Sequence, residues 1–200
     1  MHLWRVMTWL GLFLLCSAAV EAQTTARVRG TITAFEGNTL AVHTREGQDV
    51  QIALTEQTSI ASTKALSLAD LQPGVGLGTS ALKRPDGTLV ALEVHVFAPD
   101  RGVPNEGHRP WDLQPESTMT NARVSAMVES ANGRELTLTY KDGMQKLLVP
   151  EGVPIVTAGP GDRTLLRPGE YVYVAANVGT DGAMTATRIQ VSKDGVKPPQ

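Results

Sequence analysis

The sequence predicts an all-β protein whose body consists of two tandem five-stranded β-barrels joined by a linker. Three observations support this class. One series of landmarks occurs twice along the chain, apolar and polar residues alternate in short runs, and turn signals separate those runs. The 19 glycines and 12 prolines also favour a turn-rich β protein over a helical one.

The repeated landmarks lie 95 or 96 residues apart. An Ala-Arg-Val tripeptide occurs at 26–28 and again at 122–124, and an Asp-Gly pair occurs at 86–87 and again at 181–182. Several such landmarks recur in the same order, which predicts a duplicated module. The predicted organisation is a signal peptide at 1–22, β-barrel module 1 at 26–98, a linker at 99–121, β-barrel module 2 at 122–192 and a C-terminal tail at 193–200.

Each module is predicted to contain three strands, a short helical turn and two more strands. In module 1, residues 28–34 alternate with a period of two, and residues 89–97 follow the Asp-Gly hairpin signal. Ser67 is a suitable N-cap for a helical turn before Pro73-Gly74. This order fits the five-stranded, partly open barrel called the OB fold. Barrels this small are marginal alone, so we expect them to dock on each other or on the linker.

Residues 1–22 predict an N-terminal signal peptide. Arg5 supplies the positive charge, residues 7–16 are apolar but too few to span a bilayer comfortably, and Ala22 completes a cleavage signal. The alternative is an uncleaved membrane anchor. We therefore expect a periplasmic or secreted protein with no membrane span after signal cleavage. The single cysteine, Cys16, lies in the apolar segment, so the mature chain would have no thiol or disulfide.

The linker carries a polar-aromatic cluster that is the candidate binding site. Its members are His108, Arg109, Trp111 and Asp112, and Trp111 is the only tryptophan outside residues 1–22. Disordered linkers rarely contain tryptophan, so we expect Trp111 to pack against one or both barrels. The functional interpretation is a ligand or partner site at the junction of the modules. The structural alternative has Arg109 paired with Asp112 and Trp111 filling an inter-module groove.

The sequence lacks the patterns of the common catalytic sites. It has no Gly-x-Ser-x-Gly elbow and no phosphate-binding loop with its lysine, so we predict a protein that is not an enzyme. The 18 basic and 20 acidic residues nearly balance, which disfavours a nucleic-acid partner. No cofactor is expected, except that His108, His95 and Met119 are candidate ligands for a metal ion, although alternation along the strand directs His95 outward.

Four motifs carry a resemblance to a known family. They are the VRGTI segment at 28–32, the LADLQPG segment at 68–74, the PDG turn at 85–87 and the EGHRPWD segment at 106–112. On these motifs the chain resembles, over residues 26–192, an exported bacterial family of unknown function built from repeated small OB-like β-barrels. Members are often labelled "metal ABC transporter permease".

The sequence does not fit a permease, because no apolar run of the ~20 residues needed for a membrane-spanning helix follows the signal peptide. The resemblance assigns no ligand or catalytic residues. We therefore expect a non-enzymatic binding protein with an unidentified protein or small-molecule partner in the cell envelope. The alternative is a metal-binding accessory protein of a metal uptake or homeostasis system.

Overall fold

A computed structural model describes residues 24–199, so the predicted signal peptide lies outside the described residues. The described part is all-β, with thirteen strands and three single-turn 3₁₀ helices at Leu68–Asp70, Pro99–Arg101 and Arg163–Leu165. The strands are β1 (Thr24–Glu36), β2 (Thr39–Thr44), β3 (Asp49–Ala53), β4 (Ser59–Ala65), β5 (Gly76–Lys83), β6 (Leu89–Val96), β7 (Gly107–Pro110), β8 (Thr118–Ser130), β9 (Gly133–Tyr140), β10 (Gly143–Val149), β11 (Ile155–Pro160), β12 (Tyr171–Val178) and β13 (Met184–Val191).

Five strands close into a β-barrel, which we call the first ring. Strands β1, β2 and β3 form an antiparallel meander, and β12 pairs with both β1 and β13. The ring closes where β3 and β13 pair in parallel, with Ile52 opposite Met184. Its interior is apolar and includes the fully buried side chains of Ile32, Leu40 and Ile189. Closure leaves this ring without an open strand edge.

The same pattern of pairing recurs in β8, β9, β10, β6 and β5, which we call the second ring. Strand β9 pairs with β8 and β10, and β5 pairs with β8 and β6. A short parallel pairing of β10 with β6, with Leu147 opposite Leu89, completes the circuit. Leu77 and Leu136 are among the side chains that fill its apolar interior.

The origin of the strands in each ring differs from the predicted tandem arrangement. The first ring takes β1–β3 from residues 24–53 and β12–β13 from residues 171–191, whereas the second takes β5–β6 from the earlier half and β8–β10 from the later one. Strands β4 and β11 pair with each other and join the rings, so all thirteen strands belong to one continuous sheet. Alternation and turn signals define hairpins, but they do not specify which of two similar hairpins closes a ring.

The structure also has more strands than the sequence predicts. Strands β4 and β11 raise the number in each half from five to six, and β7 forms within the linker. Strand β4 was missed because small and polar residues occupy its buried positions. Ser62 Oγ donates to the carbonyl oxygen of Pro160 at 2.7 Å, and Thr63 Oγ1 donates to that of Val191 at 2.8 Å. The predicted helical turn is confirmed as the 3₁₀ helix Leu68–Asp70, capped by Ser67.

Candidate functional site

A cavity of about 290 Å³ lies between the two rings. Strands β1, β12 and β13 of the first ring, strands β5, β6 and β8 of the second ring, the linker and Pro199 of the tail all contribute to its wall. Residues from both halves of the sequence therefore meet in one site, which we call the seam cavity.

The linker reaches the seam cavity as an ordered strand and turn. Strand β7 pairs with β8, which places His108 opposite Thr120 and Arg109 opposite Met119. The backbone N–H of Trp111 then donates to the carbonyl oxygen of Ser117 at 2.8 Å. The buried Ser117 hydroxyl donates within the same turn, at 2.7 Å to Gln114 O and 3.1 Å to Trp111 O. These bonds hold Trp111 at a defined position against the second ring.

Asp112 ties the same segment to the first ring. Its carboxylate accepts hydrogen bonds from Arg29 Nη2 at 2.7 Å and Arg27 Nη1 at 3.3 Å. Arg45 adds a bond from Nη2 to the backbone carbonyl of Asp112 at 2.9 Å. Burial alone would raise the pKa of Asp112, but the hydrogen bond and charge of Arg29, with the charge of Arg27, outweigh burial and lower it. The linker therefore bridges the two rings through an ionised Asp112.

This arrangement corrects the predicted pairing of Arg109 with Asp112. Arg109 instead donates from Nη1 to the carbonyl oxygen of Asn105 at 3.1 Å. The sequence interpretation paired the two residues because they are neighbours in the linker. The strand β7 holds Arg109 beside the cavity, while the arginines of β1 attract Asp112 toward the first ring.

Arginine and aromatic side chains stack beside this ion pair. The guanidinium of Arg29, only 3% exposed, lies 5.9 Å from the ring centre of Trp111 and 5.4 Å from that of Tyr173. Arg27 lies 4.4 Å from the Trp111 ring centre, and Arg109 lies 5.7 Å from it. Cation–π contacts of this kind are attractive and are stronger when desolvated. The stack fixes the orientation of Trp111 as part of the cavity wall.

The structure brings together only some of the predicted site residues. Arg109 and Trp111 line the seam cavity, and Asp112 supports it through Arg29 and Arg27. His108 does not line the cavity, because adjacent side chains of a strand point to opposite faces. Its Nδ1 lies 2.8 Å from Thr120 Oγ1. Burial, followed by the charges of Lys83 and Arg109, lowers the pKa of His108.

The candidate metal ligands are likewise divided. His95 and Met119 line the seam cavity, whereas His108 does not. Across residues 24–199 no group of three or more His, Cys, Asp or Glu side chains could hold a metal ion. His95 points outward from the second ring, on the face opposite the buried Val94, as expected, but this outer face is not open to solvent. Strand β6 is covered by the seam, so the half-buried imidazole faces the cavity.

Several wall residues were missed because they come from strands that are distant in sequence. They are Arg27 of β1, Ser80 of β5, Tyr173 of β12 and Arg188 of β13. In each of these strands, the alternation of apolar and polar residues indicates which side chains are buried or exposed, but not which strands meet. Knowing that they meet requires the exchange of hairpins between the rings, which no local pattern signals.

The His95 imidazole makes stability depend on pH. Burial, and then the charge of Arg188, lowers its pKa from 6.5 to about 4. Because the unfolded chain takes up this proton at higher pH than the folded protein, stability is fully present above pH 6.5 and falls as the pH drops toward 4. A pKa lowered from 6.5 to about 4 implies a loss of about 2 kcal/mol after allowance for the partial exposure of His95.

We expect His95→Gln to remove this component from the pH dependence of unfolding, measured by urea denaturation between pH 7 and pH 4. The control is His43→Gln, which alters an exposed histidine of β2. Carboxylates with lowered pKa values also lose stabilising interactions in acid, so the comparison between variants isolates His95. Parallel pH curves for the wild type and His95→Gln would contradict this assignment.

Comparison with family models finds a match to part of the chain. A family model described as a domain of unknown function, DUF5666, matches residues 29–95, which run from β1 into β6. Over this segment the chain is similar to a family of unknown function. The match does not extend over the whole of residues 26–192, where the resemblance was expected. No curated protein and no solved structure matches. Within residues 24–199 there is no helix with the length and apolar character needed to cross a membrane.

Proposed function

We propose that this chain is a non-enzymatic binding protein of the bacterial cell envelope, exported by the signal peptide at residues 1–22, and that the seam cavity is its ligand site. The proposal includes the duplicated OB-like module, whose two copies exchange hairpins to build the two rings. The observation that carries it is a polar-aromatic cavity lined by both rings and the linker, two of whose wall side chains have a buried polar atom with no hydrogen-bond partner within residues 24–199.

Two of these atoms belong to side chains that line the cavity. Ser80 is fully buried, and neither its Oγ nor the buried indole Nε1 of Trp111 has a hydrogen-bond partner among residues 24–199. Buried polar groups in folded proteins are nearly always paired, because an unpaired one costs about 1–3 kcal/mol. Both residues belong to the cavity wall, so a small side-chain shift on binding would let a ligand supply the missing acceptors.

The size of the cavity favours a small molecule over a protein segment. About 290 Å³ is near the lower limit for small-molecule sites, which run from about 300 to 1,000 Å³. Its wall combines the apolar rings of Phe97 and Tyr173 with the polar groups of Ser80 and Arg109. Such a mixture supports orientation of a compact ligand that has both polar and apolar parts.

The wall also contains serine, histidine and carboxylate side chains, so an enzyme must be weighed against a binding protein. Ser80, His95 and Glu93 all line the cavity. A serine nucleophile requires a base within hydrogen-bond distance, but in the described part of the chain Ser80 Oγ has no hydrogen-bond partner. The arrangement therefore favours binding over covalent catalysis.

The proposal is tested by thermal unfolding in the presence of small-metabolite mixtures. A ligand at a hundred times its Kd stabilises the folded state by about 2.7 kcal/mol, which raises Tm by several degrees. Met119→Trp would fill the cavity, because Met119 is part of its wall. We expect this variant to lose the ligand-induced rise in Tm. The matched control is Val128→Trp, which places the same ring at a position that is 64% exposed.

The quantity compared between the variants is the rise in Tm that the ligand causes, because Met119→Trp also changes the Tm of the free protein. Equal shifts in Met119→Trp and the wild type would contradict binding in the seam cavity. The absence of any shift across the mixtures would contradict a small-molecule function.

A second candidate is the metal-binding accessory protein, which is favoured by His95 and Met119 lying in one cavity wall. Zinc or copper ions at micromolar concentration should then raise Tm, and His95→Gln should abolish the rise. His108→Ala should have no effect, because His108 does not line the cavity. Unchanged unfolding with zinc, copper, nickel and manganese would contradict this candidate.

A further inference from the structure

We infer that the seam cavity binds a compact organic oxyanion, a carboxylate or phosphate group attached to a small apolar or aromatic body. This inference rests on the proposed function and adds the chemical class of the ligand. It is carried by the charges around the cavity, the unpaired donors in its wall and the apolar surface beside them.

The cavity and its supporting ion pair have an excess of positive charge. Arg27, Arg109 and Arg188 line the cavity, and Arg29 lies behind it on Asp112. Against these four guanidinium groups stand two carboxylates, those of Asp112 and Glu93. Even with both carboxylates engaged, four guanidinium groups leave an excess of positive charge that an anion in the cavity would offset.

Arg109 is the guanidinium best placed to bind the oxyanion. Its Nη1 donates to the carbonyl oxygen of Asn105 at 3.1 Å. A guanidinium has five N–H donors in a planar fork that matches a carboxylate or phosphate. Burial, and then the nearby charge of Arg27, lowers the pKa of Arg109. An anion between Arg109 and Arg27 would relieve this repulsion.

The two unpaired polar atoms in the wall have the correct chemistry for the same ligand. The indole Nε1–H of Trp111 is a donor only, and the Ser80 hydroxyl can donate as well. Both therefore match the acceptor oxygens of an oxyanion. The half-buried His95, with its pKa of about 4, is uncharged at neutral pH, so the arginines supply the positive charge of the wall.

Aromatic and aliphatic side chains provide the surface for the body of the ligand. The Phe97 ring packs at 5.3 Å from the imidazole of His95, and Tyr173 and Met119 lie in the same wall. A purely inorganic ion would leave this surface in contact with water. An oxyanion with a small ring would cover it and gain from its burial.

The test uses isothermal titration calorimetry on the full chain with four probes: benzoate, phenyl phosphate, benzyl alcohol and inorganic phosphate. We expect benzoate or phenyl phosphate to bind at least tenfold more tightly than benzyl alcohol and inorganic phosphate. The comparison of the two anions identifies the headgroup. NMR provides a second measurement, in which the tighter anion shifts the indole N–H proton of Trp111, assigned by its loss in Trp111→Phe.

Arg109→Gln should weaken binding of the anion by tenfold or more and leave benzyl alcohol unaffected. Arg188→Gln, at an exposed position of β13, is a second variant for use if Arg109→Gln does not fold. The control is Arg84→Gln, which removes an exposed arginine that does not line the cavity. We expect it to bind the anions as the wild type does.

Equal binding of benzyl alcohol and benzoate, with no effect of Arg109→Gln, would overturn the oxyanion inference and leave the proposed function in place. If inorganic phosphate binds as tightly as phenyl phosphate, the inference that the ligand has an apolar or aromatic body is overturned. If no probe binds but metabolite mixtures still give a shift that Met119→Trp abolishes, only the inference fails. If the mixtures also give no shift, the proposed function fails with it.

Discussion

Replacing Gly30 by alanine is expected to destabilise the protein by about 3 kcal/mol or more, since a methyl group at this position meets backbone rather than a movable side chain. A Cβ atom built on Gly30 would lie 2.1 Å from the carbonyl oxygen of His43 on β2. Gly30 also pairs on both sides, with Val172 of β12 and Thr44 of β2. Neither edge of β1 can move away without breaking pairing within the first ring.

The measurement is urea denaturation followed by far-UV circular dichroism, and the control is Gly143→Ala. At Gly143 the added Cβ would lie 3.1 Å from the side-chain oxygen of Tyr140, which can rotate away. We expect the control to lose much less stability than Gly30→Ala. Similar midpoints for the two variants would show that β1 and β2 do not approach this closely at Gly30.

The second large effect is expected from Asp112→Ala, which removes the carboxylate from the buried Arg29. Breaking a buried ion pair on one side costs about 3–5 kcal/mol, because the remaining charge is left without compensation. The Asp112 side chain is 48% exposed, so water can partly replace it, and we expect about 3 kcal/mol. The linker would also lose its ionic attachment to the first ring.

A double-mutant cycle separates the ion pair from other effects of the substitution. Arg29→Met should cost less than Asp112→Ala, because the carboxylate it leaves is half-exposed and keeps Arg27 at 3.3 Å. Adding Asp112→Ala to Arg29→Met should then cost about 1 kcal/mol or less. The control, Glu46→Ala, removes an exposed partner of Arg45 and should change stability by about 1 kcal/mol or less. Additive losses in the cycle would contradict a coupled Arg29–Asp112 pair.

The interpretation of the linker shows how far local sequence could define the site. Trp111 and Arg109 were identified as binding candidates from composition, because a single tryptophan beside charged residues is unusual in a linker. The structure places both in the wall of the seam cavity. The partner of Asp112 was not predictable, because Arg29 lies 83 positions earlier and occurs in a strand where a charged side chain would be expected to face solvent.

Local signals determined the all-β class, most of the strands and the helical turn at Leu68–Asp70. Those features depend on alternation and turn chemistry, which operate over a few residues. Tertiary structure alone decided which hairpin closes each ring. Strands β12 and β13 close the ring begun by β1–β3, and strands β5 and β6 close the ring that contains β8–β10. Two similar hairpins fit either ring locally, so long-range packing chose between them, and that choice brings Arg27, His95 and Trp111 to one cavity.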